Sequence, residues 1–139
     1  MKAWLLDTGP LVAYLDRRDP AHPAVASCLD GFSGQLCTTS AVIVEAMHFV
    51  DRDPQGPELL ADFVEASGMF VYECTQPIQL KQAVILMRKY ADTPMDFADA
   101  TLVGLAEELD VLDVVTLDRR GFSTYRTARG KAFRRVLDA

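Results

Sequence analysis

No stretch of the chain stays apolar for more than a handful of residues, far short of the ~20 that a membrane-spanning helix needs. The start, Met1 to Leu6 followed by Asp7, meets a charge before the apolar region of a signal peptide can form. A cytoplasmic protein with no membrane role is expected. Cysteine is scarce: Cys28, Cys37 and Cys74 are odd in number and show neither C-x-x-C nor Cys/His ligand spacing. That argues against a disulfide framework or a thiolate zinc site and leaves them as small core side chains. The two histidines, His22 and His48, stand apart with no Ser or Cys context, so neither is expected to carry catalysis or hold a ligand. Basic charge is short as well, with 14 Lys and Arg against 20 Asp and Glu and a net charge of -6. Over the whole chain, that balance works against contact with a phosphate backbone, which needs cations.

What is present begins with length and balance. The 139 residues suffice for one core and not for two, and a single domain over 1–139 is expected. The chain is 50% apolar and 24% charged, the proportions of a globular domain. The basic charge that does exist is concentrated. From Arg119 to Arg135 there are seven basic side chains and no acidic one, so the molecule is polarised rather than evenly acidic. This segment is a candidate guide for a polyanion, with Arg119, Arg120 and Arg126 as candidate contacts; a solvated face is the alternative.

The apolar pattern alternates between short runs and helical spacing. Ala3 to Leu6 reads as a strand, and Leu11, Val12, Tyr14 and Leu15 as a helix after the turn at Thr8-Gly9-Pro10. A helix over Pro20 to Phe32 and a strand over Gln35 to Thr38 follow. Thr39 or Ser40 then caps a helix through Val42, Ile43, Ala46, Met47, Phe49 and Val50. Glu58 to Ala66 reads as helix, Met69 to Tyr72 as strand, Pro77 to Tyr90 as helix, Asp96 to Leu109 as helix and Val111 to Leu117 as strand. In the tail, Phe122 to Arg126 and Ala132 to Leu137 each read as a short extended segment. Strands alternating with helices imply an α/β architecture, a mostly parallel sheet covered by helices on both faces. Ligands of such sheets bind beyond the carboxyl ends of the strands.

That rule selects acids in apolar company. Asp7 follows Trp4-Leu5-Leu6, and Asp118 follows Val114-Val115-Thr116-Leu117. Glu45 interrupts an apolar helix, where a lone carboxylate is costly. Asp99 lies in the first turn of its helix, with Asp96 three residues before it on the same face. Each has a structural alternative: Asp7 as a helix cap, Asp118 as the start of a turn, Glu45 as the partner of a buried Arg. Asp96 is open between helix cap and fifth acid of a site. Jointly, carboxylates about 4 Å apart repel by roughly 4 kcal/mol at an effective dielectric of 20. A hard divalent cation with oxygen ligands, Mg²⁺ or Mn²⁺, relieves this, and phosphodiester hydrolysis is the chemistry it suits.

These residues resemble a known family. Leu5-Leu6-Asp7-Thr8-Gly9-Pro10-Leu11, Glu45 on the third helix, Asp96-Phe97-Ala98-Asp99-Ala100-Thr101-Leu102 and Val115-Thr116-Leu117-Asp118-Arg119-Arg120-Gly121-Phe122 are similar, in order and spacing, to the motifs of PIN-domain ribonucleases, above all the VapC-type toxins of toxin–antitoxin pairs. The resemblance covers essentially the whole chain. It implies a PIN-like three-layer α/β/α sandwich, Mg²⁺- or Mn²⁺-dependent cleavage of single-stranded RNA, a homodimer and inhibition by a small antitoxin protein. By position, Asp7 and Asp99 match the principal metal ligands, and Glu45 and Asp118 the other two acids. Thr116 matches a hydroxyl residue near the site, and Thr8 is a candidate for a similar role, although a strand Thr is also simply a good β former. A charged Asp113 inside the last strand is less typical of the pattern.

Other classes fit less well. A haloacid-dehalogenase-like phosphatase needs a second Asp two positions after the first, where this chain has Gly9. A response-regulator receiver domain needs an Asp after the third strand, and Met69 to Glu73 has none. The remaining alternative is a PIN-like module that binds or scaffolds without catalysis.

Overall fold

The computed structural model describes residues 2–138. Five strands form one sheet in the order β3-β2-β1-β4-β5, with every neighbouring pair parallel. They are β1 (Ala3–Leu6), β2 (Gln35–Thr39), β3 (Phe70–Tyr72), β4 (Asp113–Val115) and β5 (Arg134–Arg135). Helices α1 (Thr8–Leu15) and α2 (His22–Asp30) link β1 to β2, and α3 (Ser40–Val50) and α4 (Gly56–Ser67) link β2 to β3. Helices α5 (Pro77–Lys89) and α6 (Phe97–Leu109) carry the chain back across the sheet to β4, and α7 (Arg119–Thr124) leads toward β5. Right-handed parallel crossovers place the outward and the returning helices on opposite faces, the expected three-layer α/β/α arrangement.

Strand order reverses direction between β1 and β4, which lie side by side. Their register pairs Leu5 with Val114 and Leu6 with Val115, and these four side chains are fully buried. Because successive side chains in a strand alternate faces, a run apolar at every position is one covered on both sides. The pairing continues one step past the strands, where the Asp7 amide donates to the Val115 carbonyl at 3.0 Å. Asp7 and Thr116 are thereby brought side by side at the switch point.

Helix starts follow local chemistry. The Thr39 hydroxyl accepts from the Val42 amide at the start of α3, and Asp96 and Asp99 cap α6 reciprocally. The α6 helix closes on Asp110 in the left-handed region, at φ 53°. Cys37 and Cys74 are buried and Cys28 half-buried, and all three are free thiols. His22 bonds the Ala13 carbonyl through Nδ1, and His48 lies exposed on α3.

The C-terminal region differs from its sequence reading. Arg119–Thr124 is a helix, where Phe122 to Arg126 reads as extended in sequence. The Asp118 carboxylate accepts from the Gly121 amide at 2.9 Å and starts a turn, and that turn buries Phe122 and Tyr125 together with ring centroids 5.2 Å apart. Pairing in Ala132 to Leu137 is confined to an isolated antiparallel bridge at Ala132 and to Arg134–Arg135, before a 3₁₀ turn over Val136–Asp138. The charge inside β4 is answered across the strands, where Arg134 Nε donates to Asp113 at 2.8 Å.

Candidate active site

An open cleft lies beyond the carboxyl ends of β1 and β4, and Asp7, Glu45, Asp96, Asp99 and Asp118 all line it. Five acids separated by up to 111 positions in sequence meet because different elements deliver them. Asp7 is the last residue before α1, Asp118 the last before α7 and Asp96 the last before α6. Asp99 sits in the first turn of α6, and Glu45 projects from the middle of α3. Three helix N-termini thus point their positive ends into the cleft, which partly offsets the repulsion among the carboxylates.

The structural and functional readings of these acids are not exclusive. Asp96 Oδ1 accepts from the Asp99 amide at 2.8 Å, and Asp99 Oδ2 accepts from the Asp96 amide at 3.1 Å. So Asp96 is a helix cap and also lines the cleft. Asp7 is held on both oxygens: Oδ1 accepts from the Thr8 amide and Oδ2 from the Thr116 hydroxyl, each at 2.8 Å. Thr116 in turn accepts from the Asp118 amide at 3.0 Å. A single hydroxyl therefore ties the two strand-end acids into one network. The Tyr125 hydroxyl stands 3.5 Å from Asp99.

Asp7 is 7% exposed. Burial, resisted by the bonds from Thr116 and Thr8 and aided by the charges of Asp96 and Asp118, pushes its carboxyl up to about 6. For Asp99, burial followed by the charges of Asp7 and Asp96 raises it to about 8. Glu45 is raised by burial, with the nearby Thr8 hydroxyl favouring its charged form and Asp96 opposing it. The proximity of like charges also raises Tyr125, after burial. Among the described residues, no Lys, Arg or His forms an ion pair with any of the five acids, and none lines the cleft.

A cluster of oxygen donors without a counter-charge fits a hard divalent cation. The Thr8 hydroxyl, buried at 5% exposure, makes no hydrogen bond of normal geometry but lies close enough to Glu45 to favour its charged form, so it belongs to the same group of oxygens. The cluster is not a finished coordination shell. Among the described residues no three acidic, His or Cys side chains converge tightly enough to hold an ion as they stand. Most of these carboxylates bond the backbone or a hydroxyl instead, and ligation requires their rotamers to adjust.

Several residues of the cleft had no signal in the sequence reading. Asp19 is a sixth acid at the rim, and Val12, Phe49, Pro94 and Leu117 supply apolar walls. Phe49 sits at an apolar helical position, which reads as core, yet it is 45% exposed. Its one legible clue is the spacing of four from Glu45, which puts both on one face.

The basic segment is largely occupied. Arg119 and Arg135 pair with Asp138, Lys131 with Asp110 and Arg134 with Asp113. Arg120 donates to the Asp92 carbonyl, and Arg126 to the carbonyls of Ser123 and Tyr125. Arg119 and Arg120 are exposed and follow Asp118 directly.

The chain and its fold match known proteins. The profile described as PIN domain matches residues 4–128. Ribonuclease VapC26 of Mycobacterium tuberculosis is 32% identical over 130 residues, 93% of this chain and 96% of its own. Among solved structures, Mycobacterium tuberculosis VapC20, described as a sarcin–ricin loop cleaving toxin, superposes with a TM-score of 0.71 at 17% identity, over 82% of this chain and 88% of its own. FitAcB from Neisseria gonorrhoeae gives 0.60 at 20% identity, over 85% and 89%. At those identities the two structures speak for the fold alone.

Proposed function

The chain belongs to the PIN-domain family, and from that premise we propose that it is a VapC-like endoribonuclease toxin that needs Mg²⁺ or Mn²⁺ and is silenced by a small antitoxin protein. The observation that carries this reading is the convergence of Asp7, Glu45, Asp96, Asp99 and Asp118 in one cleft with no basic partner. The full-length likeness to a ribonuclease supports it.

On this reading Asp7 and Asp99 are the principal metal ligands, with Glu45 and Asp118 completing the set and Asp96 beside them. A divalent ion held there would supply Lewis-acid activation of water and neutralisation of charge developing on the phosphoryl group. The chain's own residues set the stage. Thr116 fixes Asp7 and the Asp118 backbone at once, and the Thr8 hydroxyl stands beside Glu45 to position that carboxylate or a water. Without the ion, Asp99, raised to about 8, is able to hold or release a proton near neutral pH, and burial shifts Glu45 in the same direction. Arg119, Arg120 and Arg126 meet the RNA backbone along the flank that follows Asp118.

The setting is the cytoplasm, where such a toxin meets RNA, and the active form is a homodimer. Among the described residues no helix is long and apolar enough to cross a membrane. The test is cleavage: purified protein is incubated with defined transfer and ribosomal RNAs, with and without Mg²⁺, beside Asp7→Asn. Cutting at discrete sites that needs the metal and Asp7 is expected. RNA left intact by the wild type under all conditions would favour the non-catalytic scaffold.

A further inference from the structure

We propose that Phe49 is a positioning residue for the substrate, a platform on which one unpaired nucleobase next to the cut phosphate stacks. The proposal rests on the ribonuclease reading above and deepens it.

Helix α3 buries Val42, Ala46 and Val50 on one stripe. Phe49 falls outside that stripe and lines the acid cleft one turn beyond Glu45. Its aromatic neighbour His48 meets it at 63° with centroids 5.9 Å apart, and Phe49 remains 45% exposed. Leu117, 44% exposed, lines the same cleft, as do Val12 and Pro94. The cleft therefore combines an acidic floor with apolar walls.

A phosphate gains nothing from such walls, whereas a flat, uncharged base gains both burial and stacking. Only a base free of its duplex neighbours has a face to offer, so the platform selects unpaired positions. Val12 and Phe49 also line an adjoining cleft where Arg18 pairs with Asp16 and Asp53 and Arg52 has no ion-pair partner among the described residues. A strand leaving the aromatic ring thus passes a free cation, the combination that single-strand grooves use.

The test uses an oligoribonucleotide containing the site cut by the wild type, and the same RNA with the bases flanking that site removed one at a time. Phe49→Ala should lower kcat/KM on the intact RNA by roughly 5- to 150-fold, the span of one stacked base, chiefly through KM. Phe49→Trp should restore it, and Phe49→Leu, apolar but without an aromatic face, should not. On the RNA lacking the stacked base, the wild type and all three variants should cut alike. An equal loss on both RNAs, or a Leu variant as good as wild type, overturns the proposal. Unchanged cleavage by Phe49→Ala also overturns it and assigns the ring to a protein partner. A wild type that cuts nothing instead sinks the ribonuclease reading on which the proposal stands.

Discussion

Asp7 shows how one residue serves the fold and the site in opposite ways. It caps α1 and is gripped by Thr116, yet its ionised form is held in a buried place that raises its carboxyl to about 6. Replacing it with Asn keeps an oxygen acceptor and removes the charge. Asp7→Asn should abolish cleavage by about 100-fold or more while making the metal-free protein more stable at pH 8, by on the order of 1 to 3 kcal/mol if each pKa unit is worth about 1.4. Chemical denaturation beside the cleavage assay checks both halves. A destabilised, active variant would place Asp7 among the structural acids. Gly121 is a second single-residue test, because a Cβ there would run into the Asp118 carboxylate and the Tyr125 ring. Gly121→Ala should displace Asp118 and lower both stability and cleavage.

At the scale of elements, the cleft is made by helix N-termini set at strand ends. Asp96 separates capping from chemistry, since Asn caps about as well as Asp, and Ala costs roughly 1 kcal/mol. Asp96→Asn should leave the melting temperature nearly unchanged yet weaken metal affinity by about 10-fold or more, whereas Asp96→Ala should lose both. Unchanged affinity in the Asn variant would leave Asp96 as a cap alone. The placement of these acids was legible because an Asp directly after an apolar run marks a strand end, and an Asp three residues before another marks a helix start. Helix α7 was not legible: its start depends on the Asp118 side chain reaching Gly121, and its aromatic residues look the same in a strand. Phe49 was hidden for a related reason. Apolar spacing identifies which side chains suit a core, but α3 packs only one stripe of them.

Across the whole molecule, charge is arranged so that acids gather at the cleft and the basic tail is mostly spoken for. The tail looked free in sequence because its partners, Asp92, Asp110, Asp113 and Asp138, lie in other elements or beyond it. The exposed ion pairs among them, such as Lys131 with Asp110, are worth about 0 to 1 kcal/mol each, so RNA can compete for them. Neutralising Arg119 and Arg120 together should flatten the salt dependence of RNA binding by about 0.7 for each phosphate they neutralise, and an unchanged slope would assign these arginines to the solvated face.

The acids also set a pH dependence of stability. Folded Asp7 and Asp99 keep their protons to higher pH than the unfolded chain does. The native state therefore binds more protons over that range, and its stability falls as pH rises from about 4 toward 8. A thermal melt series without metal should show this decline, and saturating Mg²⁺ should reduce it. A flat series would mean that the cluster is not held as described.

The central claim, that this cleft is a metal-binding site built on Asp7 and Asp99, is tested most directly by calorimetric titration of the protein with Mn²⁺ near pH 8. The wild type should bind, and Asp7→Asn and Asp99→Asn, shown to be folded by circular dichroism, should bind at least ~10-fold more weakly. Equal affinity in all three would contradict it.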